Sequence, residues 1–467
     1  MLARSRSHVE FATLVKTLAE HDPQDDTVLQ RFEEAFARYQ GVYRSYAMNQ
    51  ARAGLVVGLK ALGIGPGDEV LVQSFTFQGV VDAILNTGAS AVLVNNSLGD
   101  LNSDVTDLER KISPRTKAII ATHLFGIPCD LGEIHTIAQR HEIPIIEDCA
   151  QCLGGMYEGK KVGTHGAMAI CSFNYEKHLS TGEGGMLMVN TPELAQRTEQ
   201  VLSSYRRVPL FNDACYAYGL LIMHIMTGSN LYQYGLSAYF GQNLCRTDPQ
   251  FFATMERLVR ERAPEPAFTA AVRSQVRRSE TIIGKLGRLL TTEGLTELYR
   301  YGLTRVQGPR IEQIDQQNIR MNTLRAAIGL QGLRGVDEVN AVRNRNAGLL
   351  VEGLQDVSSY TLPVLGAKKS PVYLKYNILS KKGTNNATLF QKAKAAGLEL
   401  GNFQWPKPVH LKDQYRKMYG PAKGDLGASE FIGSHIINIP VHYYVKPDQI
   451  QAIFDLLKTH GKGSAPT

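Results

Sequence analysis

Short apolar, β-branched runs recur at Glu69–Gln73 (EVLVQ), Ala91–Asn95 (AVLVN), Lys117–Thr122 (KAIIAT), Ile143–Glu147 (IPIIE), Ala167–Ser172 (AMAICS) and Gly185–Val189 (GMLMV). Helical patterns or loops separate most of them, as at Asp130–His141 (DLGEIHTIAQRH). Strands alternating with helices predict an α/β protein with a mainly parallel sheet covered on both faces. Upstream, Leu29–Gln40 (LQRFEEAFARYQ) places Phe32, Phe36 and Tyr39 on one face of a helix. Ligands of such sheets sit beyond the carboxyl ends of the strands, so the chemistry is to be sought there.

The pattern then divides the chain. Residues 1–40 read as an N-terminal segment and 41–205 as a large domain. Residues 206–316 differ: they are rich in tyrosine and in amphipathic patterns such as Phe251–Arg262 (FFATMERLVRER), and predict a long helical insertion. A long helix is expected from Asn318 (NIRMNTLRAAIGLQGL), within a connecting stretch over 317–336. A smaller C-terminal α/β domain, 337–467, follows. Its strand candidates are Tyr373–Leu379 and Ile436–Pro440, its closing helix is Pro447–Thr459, and its GKGSAPT tail is expected to be disordered.

Composition narrows the class. With 467 residues, 43% hydrophobic and 20% charged, the chain reads as a soluble enzyme of two or three domains. The net charge of +7 could favour anionic substrates, but no Lys/Arg cluster has interleaved aromatics, which excludes a nucleic-acid binder. Four of the six cysteines fall within the predicted core, as reduced thiols of a cytoplasmic protein would. Cys149 and Cys152 form a CxxC without a second metal-ligand pair nearby. The N-terminus has no apolar signal-peptide core. The longest apolar run, Ala214–Met226, is too short to span a bilayer. Tyrosines at 232, 234 and 239 and arginines from 257 to 278 follow it, a combination suited to an anionic membrane surface or a lipid-linked substrate. The alternative is a helical subdomain packed on itself or across a dimer.

Two strand ends carry candidate chemistry. Ile143–Gln151 (IPIIEDCAQ) ends in carboxylates, and Asp148 at that edge is placed either to pair with a pyridinium nitrogen or to cap a helix. Ser172–Gly185 (SFNYEKHLSTGEGG) links two strands and holds Lys177 in its loop. A lysine held in a water-poor pocket near a cation has a lowered pKa and can attack an aldehyde; the alternative is an ordinary solvated loop lysine. Here Ser172 offers a hydroxyl to a phosphate, and Gly182, Gly184 and Gly185 permit close backbone approach.

IIEDCAQ followed by KKVGTHGAMAICSFNYEKHLSTGEGGML resembles the DegT/DnrJ/EryC1/StrS sugar-aminotransferase family. The resemblance extends through LKALGIGPGDEVLVQSFTFQGVVDAILNTGA, TKAIIATHLFGIPCDLGEI, NIRMNTLRAAIGLQGL, WPKPVHLKDQY and INIPVHYYVKPDQI, covering roughly 29–205 and 318–460. It implies pyridoxal-phosphate fold type I and pyridoxal 5'-phosphate as cofactor, held as a Schiff base by Lys177. It also implies Asp148 on the pyridine nitrogen, Gln151 against the ring, Phe77 stacked on it and Ser172 at the phosphate. Asn318 would reach the phosphate of a neighbouring subunit, which implies a homodimer with shared sites. The reaction implied moves an amino group from glutamate or glutamine to a keto-sugar, nucleotide-linked; the alternatives are a cyclitol or other non-sugar or lipid-linked ketone, a sugar dehydratase using the same cofactor, and a non-catalytic regulator with this fold. Where the family has Ser-Gly-Thr, this chain has Gln50, Ala51 and Arg52, whose helix-start N–H groups can still hold a phosphate. Arg52 either adds a charged fork there or sits in a surface salt bridge.

Overall fold

The computed structural model describes residues 2, 7–210, 212, 213, 217, 220, 224, 318–381, 386–402, 407–419 and 426–462. The expected insertion at 206–316, with its membrane-facing alternative, therefore lies largely outside the described residues.

The strands are β1 Arg44–Met48, β2 Glu69–Gln73, β3 Ser90–Val94, β4 Thr116–Thr122, β5 Ile145–Asp148, β6 Met156–Tyr157, β7 Lys160–Lys161, β8 Met168–Ser172, β9 Gly185–Val189, β10 Arg206–Arg207, β11 Asn318–Arg320, β12 Tyr360–Thr361, β13 Lys369–Ser370, β14 Tyr376–Ser380 and β15 Ile436–Ile439. The principal helices are α1 Phe11–Glu20, α2 Thr27–Gln40, α3 Ala51–Ala61, α4 Gln78–Asn86, α5 Val105–Arg110, α6 Leu131–Arg140, α7 Pro192–Leu202, α8 Thr323–Leu333, α9 Val336–Leu354, α10 Asn386–Ala395, α11 Asp413–Tyr419, α12 Gly427–His435 and α13 Pro447–Lys462.

Nine strands form one sheet in the order β10-β11-β1-β9-β8-β5-β4-β2-β3. β8, β5, β4, β2 and β3 pair in parallel, whereas β9 runs antiparallel between β8 and β1. The carboxyl ends of β1, β2, β4, β5 and β8 consequently share one edge.

The two-residue side-chain period explains why these runs are apolar throughout. Leu71, Ile119, Ile145, Ala169 and Met186 enter one core with Phe32 and Phe36 of α2. Their neighbours Val70, Ile120, Ile146, Met168 and Leu187 enter the opposite core with Leu55 and Leu59 of α3. Gly54 and Gly58 let α3 lie directly on the sheet: a Cβ at Gly54 would stand 3.3 Å from the Leu187 Cβ, and one at Gly58 3.3 Å from the Met168 sulfur.

Two expectations are corrected. Asn318 begins a strand, and the helix starts only at Thr323. Ile319 and Met321 suit either period, and pairing decides between them: β11 joins β10 and β1, and the Asn322 side chain caps α8 by accepting the Thr323 N–H at 2.7 Å. The strand expected from Tyr373 begins at Tyr376, because the N–H groups of Val372 and Leu374 are used by the carbonyls of Gly126 and Phe125. The smaller sheet, β12-β14-β15, packs against α9 and α13 around Tyr376, Ile378, Ile437 and Ile439. No helix among the described residues is long and apolar enough to cross a membrane.

Candidate active site

β5 ends in adjacent carboxylates on opposite faces of the sheet. Glu147 accepts the N–H groups of Gly163 (2.7 Å), His165 (2.8 Å) and Gly166 (2.6 Å), and lies 3.1 Å from His123 Nε2. Burial alone would raise its pKa, but the His123 hydrogen bond and the backbone donors bring it below the ordinary value. His123 Nδ1 accepts the Cys129 N–H at 3.1 Å, which assigns the proton to Nε2, facing Glu147. His123, Glu147 and Cys149 could gather round a cation, but the imidazole nitrogens and carboxylate oxygens are already engaged by protein. Glu147 is thus an anchor for the 163–166 turn. Its function was not legible from the motif; strand alternation signals only that it faces away from Asp148.

Asp148 is buried, and burial raises its carboxyl above the usual range, partly offset by the Ala150 N–H (3.0 Å) and the charge of Lys177. No helix follows it, so the hydrogen bond to Ala150 closes a turn and not a helix cap. The loop that holds Lys177 leaves the carboxyl end of β8, the strand paired with β5, so the two motifs open on the same edge of the sheet.

Lys177 sits in a loop stitched by its own backbone. Phe173 N–H reaches Gly184 O at 2.9 Å, Thr181 N–H reaches Phe173 O at 2.9 Å, and Lys177 N–H reaches Asn174 O at 3.0 Å. The Phe173 ring anchors the loop between Phe32 and Phe36, at 5.7 and 5.5 Å between centroids. Asn174 donates to Glu183 at 2.8 Å. Ser172 closes β8 and accepts the Asn174 N–H at 3.4 Å.

The start of α3 meets the exit of this loop. Gln50 is extended and its side chain does not cap the helix. A Cβ on Gly185 would stand 2.5 Å from Ala51 Cα and 2.9 Å from Cys171 O, so only glycine lets the two segments touch. Gly185→Ala is expected to cost about 1–3 kcal/mol or more, since backbone must move to admit the methyl. Denaturant unfolding checks this; unchanged stability would contradict the close seating of α3.

Phe77 follows β2 at the start of α4, 37% exposed, with its ring over Gly79. It is therefore no core phenylalanine. Gln151 is buried and accepts the Phe125 N–H at 2.8 Å, in the loop after β4. Arg52 lies in the first turn of α3. Asn318 opens β11, paired with Arg206, and the next residue's carbonyl accepts the Asn49 N–H at 2.7 Å. The thiols of Cys129, Cys149, Cys152 and Cys171 are buried and unpaired, and burial raises the pKa of each.

These groups fit a planar, phosphorylated aldehyde. A primary amine and a buried carboxyl share the sheet edge, and an uncapped helix start and a serine hydroxyl lie beside a glycine that admits close backbone approach. The fold is an α/β architecture built on one large, mixed and mainly parallel sheet. The sequence profile of the DegT/DnrJ/EryC1/StrS aminotransferase family matches residues 9–221 and 291–458, and the chain belongs to that family.

Among curated relatives, GDP-perosamine synthase of Caulobacter vibrioides is 45% identical over 166 residues, 36% of this chain and 45% of that protein. L-glutamine:2-deoxy-scyllo-inosose aminotransferase of Micromonospora echinospora is 37% identical over 176 residues, 38% of this chain and 42% of that protein. The chain thus spans less than half the length of these relatives in the matched region. A putative sugar aminotransferase of Streptococcus pneumoniae, Spr1654, has the same fold in its PMP form: TM-score 0.70, 16% identity, 100% of both chains covered. Its PLP form gives 0.69.

Proposed function

We propose that this chain is a pyridoxal-phosphate-dependent aminotransferase that moves an amino group from glutamate or glutamine to the ketone of a sugar, nucleotide-linked as in the GDP-perosamine synthase relative. The observation that carries the reading is the placement of the buried Asp148 at the carboxyl end of β5 and of the Lys177 loop at the carboxyl end of β8, the strand paired with it. When bound, pyridoxal phosphate supplies the electron sink for the bond broken at the substrate carbon. Lys177 Nζ would carry the proton between the substrate carbon and the cofactor carbon, in one sense with the amino donor and in the reverse sense with the acceptor. Asp148 holds a proton on the ring nitrogen, while Gln151 and Phe77 line the ring. Ser172 and the α3 N–H groups from Ala51 and Arg52, beside Gln50, hold the phosphate. Asn318 serves the phosphate site of a second copy, making a homodimer the working form.

A cyclitol ketone is the second acceptor reading, favoured by the 37% identity to the 2-deoxy-scyllo-inosose enzyme. Mixing the yellow holoenzyme with L-glutamate or L-glutamine should bleach its near-visible band as the amino form accumulates. A keto-sugar nucleotide should restore the band; recovery only with the cyclitol ketone selects the second reading. No bleaching with any amino acid overturns both.

A further inference from the structure

The described core holds a fully buried ion pair that the chemistry above does not use. Arg325, in α8, and Asp213 have no exposed side-chain surface. Both Asp213 oxygens face Arg325: Oδ1 accepts from Nε, and Oδ2 accepts the backbone N–H at 2.8 Å. The other side of the guanidinium reaches two different segments. Nη1 donates to Glu183 O at 3.0 Å and Asn49 O at 3.3 Å, and Nη2 donates to Asn49 Oδ1 at 2.8 Å.

Those contacts lie at chosen places. Asn49 immediately precedes Gln50 and the start of α3; Glu183 immediately precedes Gly184 and Gly185, against which Ala51 is seated. One rigid, planar cation therefore spans the helix start and the exit of the Lys177 loop. Desolvating such a pair is costly, and a packed apolar pair often stabilises a fold as well. A fork with several fixed donors does what an apolar pair cannot: it sets the spacing of two backbone segments. Asp213 neutralises the charge, so Arg325 acts through that spacing.

We propose that Arg325, oriented by Asp213, is the positioning residue for the phosphate end of the cofactor site. This rests on the cofactor reading above. The α3 N–H groups and the Ser172 hydroxyl converge on one phosphate only if α3 and the loop keep their relative placement. The ring end, held by Asp148 and Lys177, is anchored separately by β5 and by the Phe173 contacts.

The test separates the two ends. Equilibrium dialysis of the full-length protein is run with pyridoxal phosphate and, in parallel, with pyridoxal, which lacks the phosphate. Arg325→Lys keeps a cation for Asp213 but cannot span the segments. Its Kd for pyridoxal phosphate is expected to rise about tenfold or more, with the Kd for pyridoxal unchanged. Asp213→Asn, which preserves shape, should move the same ratio in the same direction by a smaller factor, and serves if Arg325→Lys does not fold. Unchanged affinity for pyridoxal phosphate in the folded variants, or equal loss for both ligands, overturns the proposal. Failure of the wild-type protein to bind pyridoxal phosphate overturns the cofactor reading itself, and is seen before any variant is made.

Discussion

Lys177→Ala is expected to abolish amino transfer while leaving the fold in place. The loop around Lys177 is held by main-chain hydrogen bonds and by Phe173, none of which needs the lysine side chain beyond its Cβ. The variant loses both the covalent attachment of the cofactor and the proton carrier. Turnover should fall by at least about 10⁴-fold, the upper range for general acid–base transfer alone. Borohydride reduction of the wild-type holoenzyme followed by peptide mass spectrometry should find the adduct on Lys177; an adduct on Lys160 or Lys161 would overturn the site. Subunit mixing extends the test to assembly. Lys177→Ala and Asn318→Ala chains, each inactive alone, should regain activity in hybrids if one hybrid site holds both intact residues. Hybrids that form and stay inactive would exclude shared sites.

Asp148→Asn should separate stability from chemistry. Asparagine keeps the shape and can still accept the Ala150 N–H, so the turn after β5 survives. Without a carboxylate at the ring nitrogen, the electron sink weakens, and turnover should drop on the order of a hundredfold or more, the scale of losing one preorganised electrostatic contact. Stability should move the other way. Burial raises the folded Asp148 pKa above its ordinary 3.8. Its stabilising contribution is therefore complete below the unfolded value and lost as pH rises through the folded one, so the buried carboxyl costs the cofactor-free protein stability at neutral pH. Cofactor-free Asp148→Asn should melt above wild type at pH 7, with the gap closing in acid. Near-wild-type turnover, or a lower melting temperature at pH 7, would contradict this assignment.

Much of the fold was legible because strand signals are local. Runs such as Glu69–Gln73 and Gly185–Val189 appear as strands at the expected residues, since an apolar run covered on both faces leaves backbone and side chains little choice. The helix Leu29–Gln40 extends two residues further back, to Thr27. Asn318–Arg320 was not legible: its apolar spacing suits either period, and its strand state depends on partners at Arg206 and Met48.

By itself the sequence determined the alternating α/β class, the strand edge at which the chemistry lies, and the residue types there: a carboxylate after β5, and a lysine loop with a glycine exit after β8. Those are properties of short stretches, set by side-chain period and turn chemistry. Only the tertiary structure decided which of the neighbouring carboxylates anchors the 163–166 turn and which closes the turn at Ala150. It also decided that Gln151 holds the loop at Phe125, and that Arg325 ties Asn49, Glu183 and Asp213 together. Each of those outcomes depends on desolvation and on hydrogen-bond partners remote in the chain, and burial supplies both only after the sheet has closed.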